Sequence, residues 1–402
     1  MSDTPKTILF VHSGQDWVRG SERVLLDLAS HLPAARFRPV VWCNSPALRD
    51  ACLAAAIPLV STPFPAPPHQ PWWRASREAI RQAIEVIGET SAALVHVNTL
   101  VSLPWALRGA RRAGVGVIAH LHTPTTTDER VWCGLHQVNV AVGVSRFSLS
   151  WVESDGLDPK ATRLIYNAVF PERLEHGSAA QLRGELGIPA DAVVAATVGS
   201  LIPRKDIATV IAGVSGALRC GLPIHLLILG TGEELELLRA LTASLGVSDR
   251  VHFLGDRDDV GAILRDATDF LISAAREETL GLNVIEAGFF GLPCVVSDIP
   301  PHREIVAEPA TGLLFRPGDS DDLALKLELL LRDPSLRDSL GTRAKVEIRQ
   351  RFLPDRFLAE FTDLYDDVTQ LRRERLGWLA GFRFPRGYWR FGLQRLGRWG
   401  SQ

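Results

Sequence analysis

Short apolar runs alternate with segments of helical period along nearly the whole chain, and that alternation constrains the fold more than any other feature. A strand that is apolar on both faces must be covered on both faces, and helices returning between parallel strands do this. In the first half, Thr7–Val11, Arg38–Trp42, Ala93–Val97, Gly116–Ala119 and Asn139–Gly143 read as strands, with helical spacing over Ser21–Leu32, Arg77–Gly88 and Leu103–Ala113. A second series follows: strands at Val193–Val198, His225–Leu229, Val251–Phe253, Phe270–Ile272 and Pro293–Val296, and helices at Ile207–Leu218, Glu233–Leu245, Val260–Arg265 and Leu282–Phe290. The 402 residues suit two domains of this kind. The expected class is α/β, two Rossmann-like parallel-sheet domains facing across a cleft, with ligands at the carboxyl ends of the strands. The expected divisions are 1–166, a hinge region 167–189, 190–352, a helix 353–371 crossing back to the first domain, and a tail 372–402. Six prolines between Pro58 and Pro71 mark a surface loop.

Composition removes several classes. With 46% hydrophobic and 22% charged residues the chain is not disordered, and a formal net charge of −2 does not suit a nucleic-acid binder using its whole surface. Five dispersed cysteines without C-x-x-C read as buried thiols of a reducing compartment. No basic leader with a long apolar stretch opens the chain, and no run reaches about 18 apolar residues, so the expected location is cytoplasmic.

Four stretches carry chemistry. In Ser273–Ala287, Glu278 and Glu286 bracket Gly281, with a helix expected to begin near Leu282. One carboxylate then precedes the helix and the other lies about a turn inside it, and the helix start favours an anion between them. Hydroxyls at two ends and phosphates in the middle describe a nucleotide sugar; the alternative is an amphipathic helix with solvated acids. In Gly199-Ser200-Leu201-Ile202-Pro203-Arg204-Lys205, two cations precede a helix, where the dipole disfavours them unless a diphosphate is present; the alternative is a solvated pair. His120-Leu121-His122 ends a strand with both imidazoles on one side, and His120 is the better candidate for packing. No metal-ligand spacing accompanies them. The loop Ser13–Glu22 and Gly230-Thr231-Gly232 both lack G-x-G-x-x-G, which lowers a nicotinamide reading, and Asp256-Arg257-Asp258 is a weak metal motif.

In combination these stretches resemble family 4 glycosyltransferases of GT-B fold. The resemblance covers roughly Ile8 to Leu371. It rests on Gly20-Ser21-Glu22, His96-Val97-Asn98, the strand ending at His122, Gly143-Val144-Ser145, Tyr166-Asn167-Ala168-Val169, Gly199 to Lys205, Gly230-Thr231-Gly232, Phe253-Leu254-Gly255, the E-x7-E pair and Thr311-Gly312-Leu313. It implies a retaining enzyme that moves a sugar from a nucleotide diphosphate to a polysaccharide, lipid-linked or cell-envelope acceptor, without metal or cofactor. It implies that Glu286 holds the donor ribose and that Glu278 contacts the donor sugar. Lys205 would bind the diphosphate, with Gly20, Gly281 and Leu282 at helix starts, and His122 would stand beside the anomeric carbon and leaving phosphate. Ser200 stands where the family usually has arginine, and Arg204 is the expected substitute. A GT-B phosphorylase or epimerase, or a non-catalytic nucleotide-sugar-binding protein, are the competing readings.

From Arg372 to Gln402 eight arginines face one acid, interleaved with Trp378, Trp389 and Trp399. That composition suits an anionic membrane surface, and so a peripheral placement; the alternative is a tail folded on the first domain. No nucleic-acid partner is expected.

Overall fold

The computed structural model describes residues 4–65 and 75–371. The basic tail 372–402 and the end of the proline-rich stretch, 66–74, lie outside the described residues. The chain divides into two compact units: unit 1 holds residues 1–167 and 355–402, and unit 2 holds 168–354.

Unit 1 is built on six parallel strands: β1 (Lys6–His12), β2 (Phe37–Cys43), β3 (Ala92–Val97), β4 (Gly116–Leu121), β5 (Val140–Gly143) and β6 (Thr162–Leu164), in the order β2-β1-β3-β4-β5-β6. Ile8 to Val11 and Val117 to Ala119 are buried on both faces, which accounts for their unbroken apolar character. Unit 2 repeats the plan with β7 (Val193–Val198), β8 (Ile224–Leu229), β9 (Val251–Gly255), β10 (Phe270–Ser273), β11 (Cys294–Ser297) and β12 (Gly312–Phe315), in the order β12-β11-β10-β7-β8-β9. In each sheet the strand order reverses once, between β1 and β3 and between β7 and β10. The carboxyl ends at such a switch point open a crevice, since the flanking connections leave in opposite directions.

One feature differs from the sequence reading. The proline-rich stretch is not wholly a surface loop: Val60 is buried and its N–H donates to Val41 O at 2.9 Å, and Phe64 packs edge-on against Trp42 and Trp105. Proline bars a helix there but not extended backbone with one apolar side. The segment after Asn167 carries two short helices, Pro171–Leu174 and Leu182–Glu185, and packs within unit 2, where Arg183 pairs with Asp269 at 2.9 Å.

The helix Pro354–Leu371 buries Phe357, Phe361, Leu364, Tyr365 and Val368, a stripe at helical spacing. Its stripe lies on unit 1: Val368 sits against Gly116, the Tyr365 hydroxyl is 2.7 Å from His96 Nδ1, and Lys6 reaches Asp366 at 2.7 Å. Among the described residues no helix is long and apolar enough to cross a membrane.

Candidate active site

The unit 2 switch point is framed by the loops after β7 and β10. Gly199 follows β7 at φ 148°, in the region that favours glycine. A Cβ on Gly230 would come 2.0 Å from Gly199 O, and one on Gly232 would come 2.2 Å from Leu201 O. Gly230-Thr231-Gly232 therefore serves as a bed on which the 199–201 backbone lies. Ser200 is half-buried in that loop, its carbonyl accepting from Ile202 N at 3.0 Å. Next, Pro203–Lys205 forms one 3-10 turn. The residue between these cations and the following helix, Ile207–Arg219, is the acid Asp206, held by Arg276 Nε at 2.8 Å. The basic pair is thus separated from that helix start by this one acidic residue.

Across the switch point, Arg276 N donates to Arg204 O at 2.8 Å and Arg204 Nη1 donates to Glu277 O at 3.3 Å, stitching the two loops together. Lys205 Nζ donates to the Glu278 carboxylate, and Arg204 Nη1 stands 4.0 Å from the same oxygen. Both partners of the Lys205–Glu278 pair are mostly buried, at 15% and 13% side-chain exposure. Burial alone would raise the Glu278 carboxyl. The Lys205 charge and hydrogen bond, Arg204 and the Thr279 N–H outweigh it and bring it down to about 2.

Helix Leu282–Phe290 begins at Gly281, whose φ of 102° only glycine adopts without strain. No side chain caps its start, and Asn283 Nδ2 ties that start to Val198 O at 2.9 Å. Half-buried Leu282 is the first helical residue, so its amide lies among the N-terminal N–H groups that suit an anion. Behind Gly281 lies the buried His302, whose Nδ1 is 2.9 Å from Ser297 O. Inside the first turns, Glu286 Oε1 accepts from Arg173 Nη2 at 3.1 Å. The structure thus unites Lys205, Arg204 and Glu278 and gives Glu286 its own arginine.

In unit 1, Gly20 opens the helix Gly20–His31. Glu22 turns back so that its Oε2 accepts from Arg19 N at 3.1 Å, while its Oε1 lies 2.9 Å from His12 Nε2. Asn98, at the end of β3, places Nδ2 3.0 Å from His12 Nδ1 and Oδ1 3.0 Å from His122 Nε2. His122 follows β4, its ring centroid 3.8 Å from that of His120, as expected for alternate residues of one strand. Desolvation pushes His122 down to about 3, with Glu22 opposing and His12 reinforcing, so the ring is neutral at pH 7. His120 is buried and its Nδ1 lies 3.3 Å from His96 Nε2, consistent with a packing role.

His12, Glu22, Asn98 and Arg173 received no role in the sequence reading. The usable signal was a polar residue at the carboxyl end of each of β1 and β3. Asp256, from the weak metal motif, accepts from Thr231 Oγ1 at 2.7 Å, and Arg257 pairs with Asp259. Among the described residues no group of three or more His, Cys, Asp or Glu side chains is placed to hold a metal ion.

Two family models match consecutive parts of the chain: Glycosyltransferase Family 4 over residues 18–173, and Glycosyl transferases group 1 over residues 178–347. The chain is 25% identical over 244 residues to N-acetyl-alpha-D-glucosaminyl L-malate synthase of Bacillus anthracis, covering 61% of this chain and 63% of that protein. It is 34% identical over 162 residues to the lipopolysaccharide core biosynthesis glycosyltransferase LpsE of Rhizobium meliloti, covering 40% and 46%. The chain therefore spans less than two thirds of the length of these curated relatives. In three dimensions it is similar to Anabaena Alr3699/HepE, solved in complex with UDP and glucose, with a TM-score of 0.76, 20% identity and coverage of 90% of this chain and all of that one. It is also similar to sucrose-phosphate synthase from Thermosynechococcus elongatus, with a TM-score of 0.72, 18% identity and coverage of 91% and 100%. Two consecutive family matches laid over two parallel six-stranded sheets carry one conclusion: the chain has the GT-B fold and belongs to glycosyltransferase family 4.

Proposed function

We propose that the protein is a retaining, metal-independent glycosyltransferase that takes a sugar from a nucleotide diphosphate and delivers it to a polysaccharide, lipid-linked or cell-envelope glycan acceptor. The observation that carries this reading is the unit 2 switch point. There the cations Arg204 and Lys205 stand among the partners of one mostly buried carboxylate, Glu278, and the uncapped helix start at Gly281 follows three residues later. A departing diphosphate needs its growing charge stabilised, and a lysine, an arginine and a helix start supply that without a metal. Glu286, held by Arg173, is suited to accept from the paired ribose hydroxyls; Glu278 meets the donor sugar. His122 acts on the reacting sugar as a neutral imidazole. The UDP and glucose held by Anabaena HepE and the lipopolysaccharide relatives support this donor and acceptor chemistry by similarity.

The test is a panel of nucleotide sugars against the purified full chain, by thermal shift and then by donor hydrolysis and transfer. Stabilisation by one donor, with hydrolysis lost in Lys205→Ala and Glu286→Ala, is expected. Wild-type hydrolysis in both variants sinks the site assignment. Activity is expected to survive EDTA; loss on chelation, restored by magnesium or manganese, contradicts the metal-independent chemistry.

The composition of residues 372–402 supports a meeting with a lipid-linked acceptor at an anionic membrane, since each basic residue near such a surface contributes about 1 kcal/mol. Full-length protein then co-sediments with anionic liposomes at low salt, and a chain lacking 376–402 does not but still hydrolyses donor. Failure of the full chain to co-sediment ends that part of the proposal.

A further inference from the structure

Four side chains from different elements meet in a line at the carboxyl ends of β1, β3 and β4, and their donors and acceptors can be assigned. Asn98 Nδ2 lies 3.1 Å from Ser21 O and 3.0 Å from His12 Nδ1. A backbone carbonyl only accepts, so the amide NH2 faces Ser21, and its second hydrogen goes to His12 Nδ1. His12 Nδ1 therefore carries a lone pair, and the ring's proton sits on Nε2, which faces the Glu22 carboxylate 2.9 Å away but off the line of a directed hydrogen bond. On the other side Asn98 Oδ1 accepts, so His122 Nε2 carries the hydrogen in their 3.0 Å bond. His12, Glu22 and Asn98 are all buried. Gly14 lies over the pair: a Cβ there would come 2.5 Å from His12 Nε2 and 3.2 Å from Glu22 Oε1. Turning the amide over would set Asn98 Oδ1 against Ser21 O, leaving buried acceptors facing each other.

We propose that Glu22, His12 and Asn98 are positioning residues that lock His122 as its Nε2–H tautomer and so make Nδ1 its acceptor toward a substrate hydroxyl. This rests on the reading of His122 as a residue of the reaction. The lock has a chemical consequence. A neutral imidazole with Nδ1 unprotonated takes a hydrogen bond from a hydroxyl and has none to donate from that nitrogen to a departing phosphate. The titratable groups facing His122 are Glu22 from the first helix, His12 from β1, His96 from β3 and His120 from its own strand. Glu22 is the acid among them.

The direct measurement is long-range proton–nitrogen correlation NMR on the full chain labelled with nitrogen-15 in histidine, the signal of His122 assigned by its loss in His122→Gln. A neutral Nε2–H pattern from pH 6 to pH 8 is expected; an Nδ1–H pattern or a charged ring overturns the proposal. Activity gives the second arm. Asn98→Leu removes the acceptor and lowers kcat about ten-fold at every pH, with donor KM little changed. Asn98→Asp keeps the acceptor but adds a charge that lets His122 protonate, so the rate gains a new acid limb near neutrality and recovers at high pH. A wild-type kcat in Asn98→Leu, or a flat profile in Asn98→Asp, overturns the lock. If the Asn98 variants do not fold, the NMR result on the native chain decides alone. Wild-type transfer in His122→Ala removes the underlying reading and the proposal with it. A dead His122→Ala beside an Nδ1–H signal removes the lock only. Comparing donor hydrolysis with transfer separates the hydroxyl's source: a donor hydroxyl affects both, an acceptor hydroxyl transfer alone.

Discussion

Replacing Lys205 by methionine separates what the Lys205–Glu278 pair does for stability from what it does for catalysis. Glu278 is displaced from 4.5 to about 2 against the upward pull of its own burial, and the partner responsible is chiefly Lys205. At roughly 1.4 kcal/mol per pH unit, that amounts to about 3 kcal/mol of unit 2 stability at neutral pH. The carboxyl is depressed in the folded state, so its contribution is complete above the unfolded value of 4.5 and fades as pH falls from there toward 2. In Lys205→Met the carboxylate keeps its desolvation and is left with the Thr279 N–H and the more distant Arg204, at 4.0 Å, so its pKa rises and it protonates more readily in mild acid. Scanning calorimetry of the ligand-free full chain is the assay. At pH 7 the unit 2 transition should fall by roughly 6–12 °C, since about 1 kcal/mol moves a unit of this size by about 2–4 °C. At pH 4 the deficit should shrink, and Lys205→Met with Glu278→Gln should recover most of it at pH 7 while remaining inactive. A variant as stable as wild type at pH 7, or one with the same deficit at both pH values, refutes the electrostatic account.

Gly281→Ala forces a side chain into φ 102° and to within 3.4 Å of the His302 ring, so it should cost about 1–2 kcal/mol and weaken nucleotide-sugar binding by about ten-fold or more. Unchanged affinity by titration calorimetry would take that helix start out of the donor site. Tyr365→Phe strips the hydroxyl from His96 Nδ1 inside the protein and should lower the unit 1 transition by about 1–3 kcal/mol while leaving the unit 2 transition in place. A shift confined to unit 2 would contradict the docking of the last helix. Arg173→Ala frees the half-buried Glu286 from its 3.1 Å partner and should raise donor KM more than it lowers kcat. An effect on kcat alone would mean that this pair does not hold the nucleotide.

The strands with both faces covered were legible because burial writes an unbroken apolar run, as in Ile8 to Val11 and Leu226 to Leu229. Strand β6 was not, since Thr162-Arg163-Leu164 holds no apolar run, and β12 was passed over although Leu313 to Phe315 is as apolar as the equally short β10 and β11. The helix Pro334–Arg351 escaped for a different reason: it buries only Leu340, Gly341, Ala344 and Ile348 among many charges, so its apolar stripe is too thin to read. Within the site, the glutamates, the basic pair and His122 were visible as residue types at helix starts and strand ends. Their partners were not. Lys205 meets Glu278 across 73 residues because strand order places the loop after β10 beside the loop after β7, and Arg173, on the short helix ahead of β7, meets Glu286 across 113; no local period encodes either. Gly230-Thr231-Gly232 shows the same limit. Read locally it is an incomplete phosphate loop, and only the neighbouring strand reveals that its glycines admit the Gly199 and Leu201 backbone. One local signal was read only at His122: His12 ends β1, and Asn98 stands directly after β3 as His122 does after β4. A polar side chain closing an otherwise apolar parallel strand sits where the sheet offers its ligand-facing end, and three such endings on adjacent strands already imply that their side chains can meet.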